Sequence, residues 1–416
     1  MKKLLLKVIT CILVCLMIIY TNTYIYADDL LEDEIIDVNS KIQDNTPNIS
    51  DINSRAYVVI DRNSNQVLVG KNENQKRKMA STTKIMTATI IIENCNLSDV
   101  VEISKKTANT GGSRLGLKYQ DKISVKDLLY GLMLCSGNDC AVALAEHCAG
   151  SVEAFAEKMN KKAIELNLSN SHFVTPHGLD SDEHYTTAYE LALLTNYALQ
   201  NKTFAQIVNT TNYTVTINGY GKSIHNTNEL LGSLDGVYGV KTGFTNGANR
   251  CLVTSCKRNN MDIICVVLGA DTKNFRTKDS IKLIEYCYKN FEVIDLEEIV
   301  NTSFNEWKTE NIKNISVEKS FDSIPKIEVA NLKFSTVPIE KSLVDSITCK
   351  ISCDFNLIAP ISKDTVIGNI EVRTDKNIVT SCDIVVKNEI SKNSVLNYLN
   401  YFFENYQDIL MDFLGL

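Results

Sequence analysis

Proline is scarce in this chain of 416 residues, with five in all, tryptophan occurs once and histidine only five times. So little proline, with 44% hydrophobic and 22% charged residues, excludes a collagen-like, proline-rich or wholly disordered polymer. The chain should be globular and is long enough for two or three domains with a sizeable core. His147, His172, His177, His184 and His225 have no carboxylate or cysteine spacing that builds a metal cluster, and no CxxC pair occurs, so neither a metal nor a cofactor is expected. Positive charge is also short: 43 Lys and Arg stand against 50 acidic residues, a net charge of −7, which lacks the basic footprint of a nucleic-acid binder. No uninterrupted apolar run reaches the roughly 20 residues of a membrane span.

What the N-terminus does have is an export signal in outline. Lys2, Lys3 and Lys7 precede an uncharged, mostly apolar stretch from Val8 to Tyr20, and Ala27 offers a small residue for cleavage. A cleaved signal over residues 1–27 is expected, an uncleaved anchor being the competing reading. Residues 28–55 then carry Asp28, Asp29, Glu32, Asp33, Glu34 and Asp37 with little periodicity, as in a flexible acidic leader. Eleven of the 13 cysteines lie beyond the signal. Their odd number and scattered positions in a long chain suggest mostly unbridged thiols.

Residues 56–292 read as one α+β domain. Tyr57 to Ile60 and Gln66 to Val69 form a hairpin pattern, and the stretch from Ser81 is apolar on nearly all sides, as in a helix buried mid-domain. Helical periods follow over Val125 to Leu134, Cys140 to His147, Val152 to Leu166 and Thr187 to Leu199. Strands return at Tyr213 to Ile217, Arg250 to Cys256 and Met261 to Leu268, and a helix over Asp279 to Phe291 closes the region. Strands at both ends with helices between imply a sheet that pairs distant segments. From 293 to 390, short β-branched runs without long helical periods read as a small all-β domain.

Three short segments together supply an acyl-transfer site. Ser81-Thr82-Thr83-Lys84 opens the buried helix, where residues three apart share a face about 5 to 6 Å apart, so the Lys84 amine reaches the Ser81 hydroxyl. Burial and a second cation, Lys241, should both disfavour the ammonium and depress the Lys84 pKa. The helix N-terminus adds backbone N–H groups for a developing oxyanion. Ser136-Gly137-Asn138 lies between two helical runs, with Ser136 suited to relaying a proton and Asn138 to holding a substrate amide. Lys241-Thr242-Gly243 leads into a strand, with Lys241 and Thr242 suited to a carboxylate and Gly243 to close approach of a ligand backbone. Each motif alone is common, but their joint appearance in this order is specific.

With these boxes the sequence resembles the D-alanyl-D-alanine carboxypeptidase family, the low-molecular-mass penicillin-binding serine peptidases. The resemblance spans about residues 55 to 390 and includes Ala80 to Ala88, Pro176-His177-Gly178-Leu179, His184-Tyr185-Thr186-Thr187-Ala188, Asn226-Thr227-Asn228 and Gly239 to Thr245. It implies a penicillin-binding, β-lactamase-like catalytic fold followed by the all-β domain. It also implies an Arg after the strand that follows the K-T-G strand, here Arg276, as a second carboxylate ligand. The implied chemistry is removal of the terminal D-Ala from peptidoglycan stem peptides through an acyl-enzyme that β-lactams also form, at the outer face of the membrane or in the wall. Ser81 would be the nucleophile, Lys84 its base and Ser136 the proton donor to the leaving amine. Asn138, Lys241, Thr242, Gly243, Thr245 and Arg276 would hold the substrate, with an oxyanion donor near Thr245. Tyr238 and Asn249 depart from the family, which often has Asp and Gly there.

Two rivals remain at this level. A β-lactamase shares the acylation apparatus, but those with a separate deacylating Glu carry a Glu-x-x-Leu-Asn segment, and none occurs between Ser136 and Lys241. A noncatalytic penicillin sensor would keep the pocket without turnover. At the C-terminus, Leu399, Phe402, Phe403, Tyr406, Ile409, Leu410, Phe413 and Leu414 recur at spacings of three and four over residues 394–416. The resemblance implies that this amphipathic helix lies in a membrane interface; packing on the β domain is the alternative.

Overall fold

The computed structural model describes residues 49–321 and 324–414, so the expected signal and leader residues 28–48 lie outside the described residues. The described residues form two compact units that divide between Lys289 and Asn290.

In the first unit, strands β1 (Ala56–Asp61) and β2 (Val67–Lys71) form the expected hairpin, and a 3₁₀ turn, Ala80–Thr83, leads into helix α1 (Lys84–Asn94). Helices α2 (Val125–Met133), α3 (Asn138–Ala149), α4 (Val152–Glu165), α5 (Ala188–Leu199) and α6 (Lys202–Val208) build the helical region. Strands β3 (Val100–Glu102), β4 (Lys122–Ser124), β5 (Asn212–Ile217) and β6 (Tyr220–His225) form a small sheet. Strands β7 (Val237–Thr245), β8 (Asn249–Arg258) and β9 (Met261–Ala270) are followed by helix α7 (Lys273–Asn290). The main sheet runs β2-β1-β9-β8-β7, pairing the first strands of the unit with the last. β1 is buried throughout, which suits a strand covered on both faces. α1 is likewise buried on all sides: Ile85, Met86, Ala88, Ile90 and Ile91 are at most 2% exposed. Truncating one of the Ile or Met residues to Ala should cost roughly 2 to 5 kcal/mol.

Side-chain caps explain where helices start. Ser124, Ser151 and Thr187 accept the N–H of Asp127, Ala154 and Glu190 at 3.0 Å each. Gly150, at φ 81°, ends α3 in the left-handed conformation that needs no Cβ.

The second unit holds β10 (Phe291–Asp295), α8 (Leu296–Asn311), β11 (Ser316–Glu318), β12 (Ile327–Ala330), β13 (Thr336–Glu340), β14 (Thr348–Cys353), β15 (Asn356–Ile358), β16 (Val366–Arg373), β17 (Ile378–Val386) and α9 (Val395–Leu414). Its largest sheet runs β12-β17-β16-β14. These strands match the expected all-β C-terminal domain, with one addition at its start, α8, a helix of 16 residues that the expectation did not include. Its stripe Leu296, Val300 and Phe304 is buried, and Asp295 caps it by accepting the Glu298 N–H at 2.9 Å. That period was present in the sequence, but β-branched runs flank it on both sides. The leader is corrected: ordered structure starts before Ala56, since Ser54 is buried and its N–H reaches Asp279 at 2.8 Å. No disulfide joins the cysteines among the described residues.

Candidate active site

The turn that carries Ser81 is a 3₁₀ helix rather than the first turn of an α-helix. With three residues per turn, side chains at i and i+3 eclipse one another. The Lys84 Nζ therefore sits 2.8 Å from the Ser81 Oγ. Lys84 is completely buried, whereas Ser81 is partly exposed and can meet a ligand.

Around Lys84 the structure gathers parts from distant segments. Its Nζ donates to Asn138 Oδ1 at 2.7 Å and to the His177 carbonyl at 3.1 Å, and Ser136 Oγ lies at 3.4 Å. Asn138 Nδ2 donates to the Gly111 carbonyl at 2.8 Å, which fixes the orientation of the carboxamide. A neutral amine has two N–H bonds and one lone pair. The two oxygens that can only accept take both N–H bonds, leaving the lone pair for the Ser81 hydroxyl. Burial, and then the charge of Lys241, hold the Lys84 pKa well below that of an ordinary lysine. Asn138, expected to hold a substrate amide, instead spends both ends of its carboxamide on Lys84 and Gly111.

Ser136 is a non-glycine residue at φ 59°, between α2 and α3. Its loop is pinned by Gly137 N–H to the Gly131 carbonyl at 3.0 Å and by Asn138 N–H to the Ser113 carbonyl at 2.7 Å. A Cβ on Gly137 would lie 2.8 Å from Cys140 Sγ, so the middle of this box is kept small by packing. Sequence reasoning missed Asp139. Its buried carboxylate accepts the N–H of Leu115, Gly116 and Leu117 at 2.9, 2.7 and 3.0 Å, holding the segment whose Gly111 and Ser113 carbonyls support Asn138.

The Lys241-Thr242-Gly243 segment is on β7, at the edge of the main sheet. Gly243 is needed for close approach, though not of a ligand alone: a Cβ there would lie 3.1 Å from the backbone nitrogens of Ser81 and Thr82. Lys241 and Thr242 are completely buried, and Thr242 Oγ1 lies 2.7 Å from Thr227 Oγ1. Thr245 braces the following turn, its hydroxyl donating to Asp180 Oδ1 at 2.6 Å while accepting the Ala248 N–H at 3.1 Å. Asn249 adopts φ 58°, a left-handed conformation that Asn tolerates better than most residues, so the turn survives without the usual Gly. Tyr238 turns to Asp262 and Arg62, at 2.5 and 2.8 Å.

Arg276 stands on α7, after two strands following β7 rather than one. It is completely buried, and its Nη2 lies 2.5 Å from Glu229 Oε1, so a carboxylate of the chain itself already faces it. Burial pushes the Glu229 carboxyl up, but Arg276 and Thr277 more than offset this and hold it below its usual range. No group of His, Cys, Asp and Glu suited to a metal ion occurs among the described residues.

A partly exposed Ser and a buried Lys where a 3₁₀ turn enters a central helix, flanked by a Ser-Gly-Asn loop and an edge strand bearing Lys-Thr-Gly, define the class of penicillin-binding serine hydrolases. The D-alanyl-D-alanine carboxypeptidase family model matches residues 41–272, and that of the C-terminal domain of penicillin-binding protein 5 matches residues 308–392. The chain is 31% identical over 352 residues to the D-alanyl-D-alanine carboxypeptidase DacF of Bacillus subtilis, covering 83% of this chain and 88% of that protein. Penicillin-binding protein 5 from Haemophilus influenzae superposes with a TM-score of 0.68 at 28% identity, over 82% of this chain and 98% of that one. The Streptomyces K15 DD-transpeptidase matches 57% of this chain and 98% of its own, at 34% identity and a TM-score of 0.55. The chain belongs to the D-alanyl-D-alanine carboxypeptidase family, as a serine-type D-Ala-D-Ala carboxypeptidase of the penicillin-binding class.

Proposed function

We propose that Ser81 attacks the carbonyl between the two terminal D-Ala residues of a peptidoglycan stem peptide while neutral Lys84 takes its proton. Ser136 then passes a proton to the leaving amine, and water hydrolyses the ester. The Ser81 N–H and a backbone N–H near Thr245 stabilise the oxyanion. Asn138 holds and orients Lys84. Lys241 and Thr242 receive the terminal carboxylate beside Gly243, with Arg276 contributing from its pair with Glu229. β-Lactams acylate the same serine. The observation that carries this reading is the set of neighbours of Lys84, which leaves its lone pair for Ser81. Incubation with a D-Ala-D-Ala peptide should release D-Ala and form a penicillin adduct, both lost in Ser81→Ala; an adduct that persists in the variant would overturn the assignment.

The enzyme is exported and works at the outer face of the membrane or in the wall. α9 holds it at the membrane surface. Val395, Leu399, Phe402 and Tyr406 form one exposed stripe, joined by Leu396 and Phe403, while Tyr398 and Tyr401 pack on Phe321 of the same unit at ring distances of 5.2 and 4.6 Å. No helix among the described residues is long and apolar enough to cross a membrane, which suits a helix lying in the interface. Deleting residues 394–416 should release the protein from liposomes with D-Ala release intact. Failure of the full chain to sediment with liposomes would refute the anchor.

A further inference from the structure

His184 takes no part in the chemistry above, yet it is only 2% exposed and stands in the loop that precedes α5. Its Nδ1 accepts the Val174 N–H at 2.9 Å, so the ring proton resides on Nε2. Nε2 lies 2.8 Å from Thr83 Oγ1, and Thr83 Oγ1 in turn donates to the Ala80 carbonyl at 2.8 Å. The three bonds run in one direction, from the Val174 N–H through the imidazole and the Thr83 hydroxyl to the carbonyl immediately before Ser81.

That carbonyl belongs to a strained residue. Ala80 sits at φ 48°, a conformation uncommon for a residue with a Cβ, which persists only where its surroundings hold it. Gly178 packs against the same carbonyl, since a Cβ there would come within 2.0 Å of it and within 2.5 Å of Thr83 Oγ1. Phe173 meets the His184 ring edge-on at 5.8 Å. The charged and titratable groups facing His184 are His172, His177 and Asp180. Burial, followed by His172, lowers its pKa to about 4, so the ring stays neutral at ordinary pH and Nδ1 remains an acceptor.

We propose that His184 is a positioning residue for the nucleophile: through Thr83 it fixes the Ala80–Ser81 peptide, and with it the aim of the Ser81 hydroxyl at Lys84 and of the Ser81 N–H at the oxyanion. This inference rests on Ser81 being the nucleophile. A misplaced nucleophile loses the acylation step while leaving noncovalent binding largely intact, and misplacement by about 1 Å can cost roughly a hundredfold.

The test measures penicillin binding and acylation separately, with thermal unfolding alongside. Asn reaches the position of Nδ1 and keeps only the Val174 bond, whereas Gln reaches the position of Nε2 and keeps the donor to Thr83. His184→Asn and Thr83→Val should therefore slow acylation by roughly ten- to a hundredfold with little change in the binding constant. His184→Gln and Thr83→Ser should recover most of the rate. The double variant His184→Asn, Thr83→Val should be no slower than the slower single variant, because both break one chain. If His184→Asn fails to fold, Thr83→Val carries the same test. Wild-type acylation in both link-breaking variants, or equal losses in all four, would overturn the proposal. A penicillin adduct that survives Ser81→Ala would instead overturn the nucleophile, whatever the His184 variants do.

Discussion

Replacing Asn138 by Asp changes almost nothing in shape and inverts the electrostatics of the base. Asn138 Oδ1 is 2.7 Å from Lys84 Nζ and its carbonyl dipole tolerates a neutral amine. A carboxylate there favours the ammonium. Two unit charges 4 Å apart at an effective dielectric of 20 attract by about 4 kcal/mol, and the distance here is shorter. At 1.36 kcal/mol per unit, that raises the Lys84 pKa by about 3 units. Lys84 must lose a proton to act as base, so the acid limb of acylation should move about 3 pH units to the alkaline side of its wild-type position. The new oxygen would also oppose the Gly111 carbonyl that Nδ2 now satisfies, at a stability cost of about 1 to 3 kcal/mol. Asn138→Ala separates the effects, since it removes the acceptor without adding charge and should slow acylation with no alkaline displacement. The assay is the rate of fluorescent penicillin acylation from pH 5 to 10, with urea unfolding in parallel. If the Asp variant keeps the wild-type acid limb, or does not recover at high pH, a neutral Lys84 is not the base.

Stability should fall in mild acid, because the His184 pKa is about 4 when folded and about 6.5 when unfolded. The unfolded chain binds the extra proton between those values, so stability is full above about pH 7 and lost on descent; His184 alone should cost about 2 kcal/mol between pH 7 and pH 5 in urea titrations, and His184→Gln should flatten that slope. His177 acts in the same direction, its pKa lowered to about 3 by burial, then by Lys84 and His184. Asp139→Ala leaves three N–H groups without their acceptor, those of Leu115 and Leu117 buried, and should cost about 2 to 4 kcal/mol, with slower acylation as the support of Asn138 loosens; unchanged stability would refute this role. If Lys241 and Arg276 receive the substrate carboxylate, peptides ending in an amide should react roughly ten- to a hundredfold more slowly, and Arg276→Ala should shrink that preference; equal rates for acid and amide would exclude both residues.

The parts of the site legible in the sequence are those that depend on short-range geometry. Ser81 and Lys84 meet because three residues of tight helix bring them together, and Gly243 marks a strand that another backbone approaches closely. The buried helix showed in its all-round apolar pattern for the same reason. α8 was legible in principle, through Asp295 with Glu298 and the stripe Leu296, Val300 and Phe304, and was hidden by its β-branched flanks. Only the tertiary structure decided the rest, because it depends on which distant groups come to lie within a few ångström in a dry interior. The low pKa of Lys84 comes from burial and from Lys241 on an edge strand. The direction of its lone pair comes from Asn138 and from the backbone carbonyl of His177, an atom every residue possesses and no motif can announce. Arg276 carries the same lesson: the resemblance implied a substrate carboxylate for it, and only the fold shows that Glu229 of the chain itself also faces this buried cation.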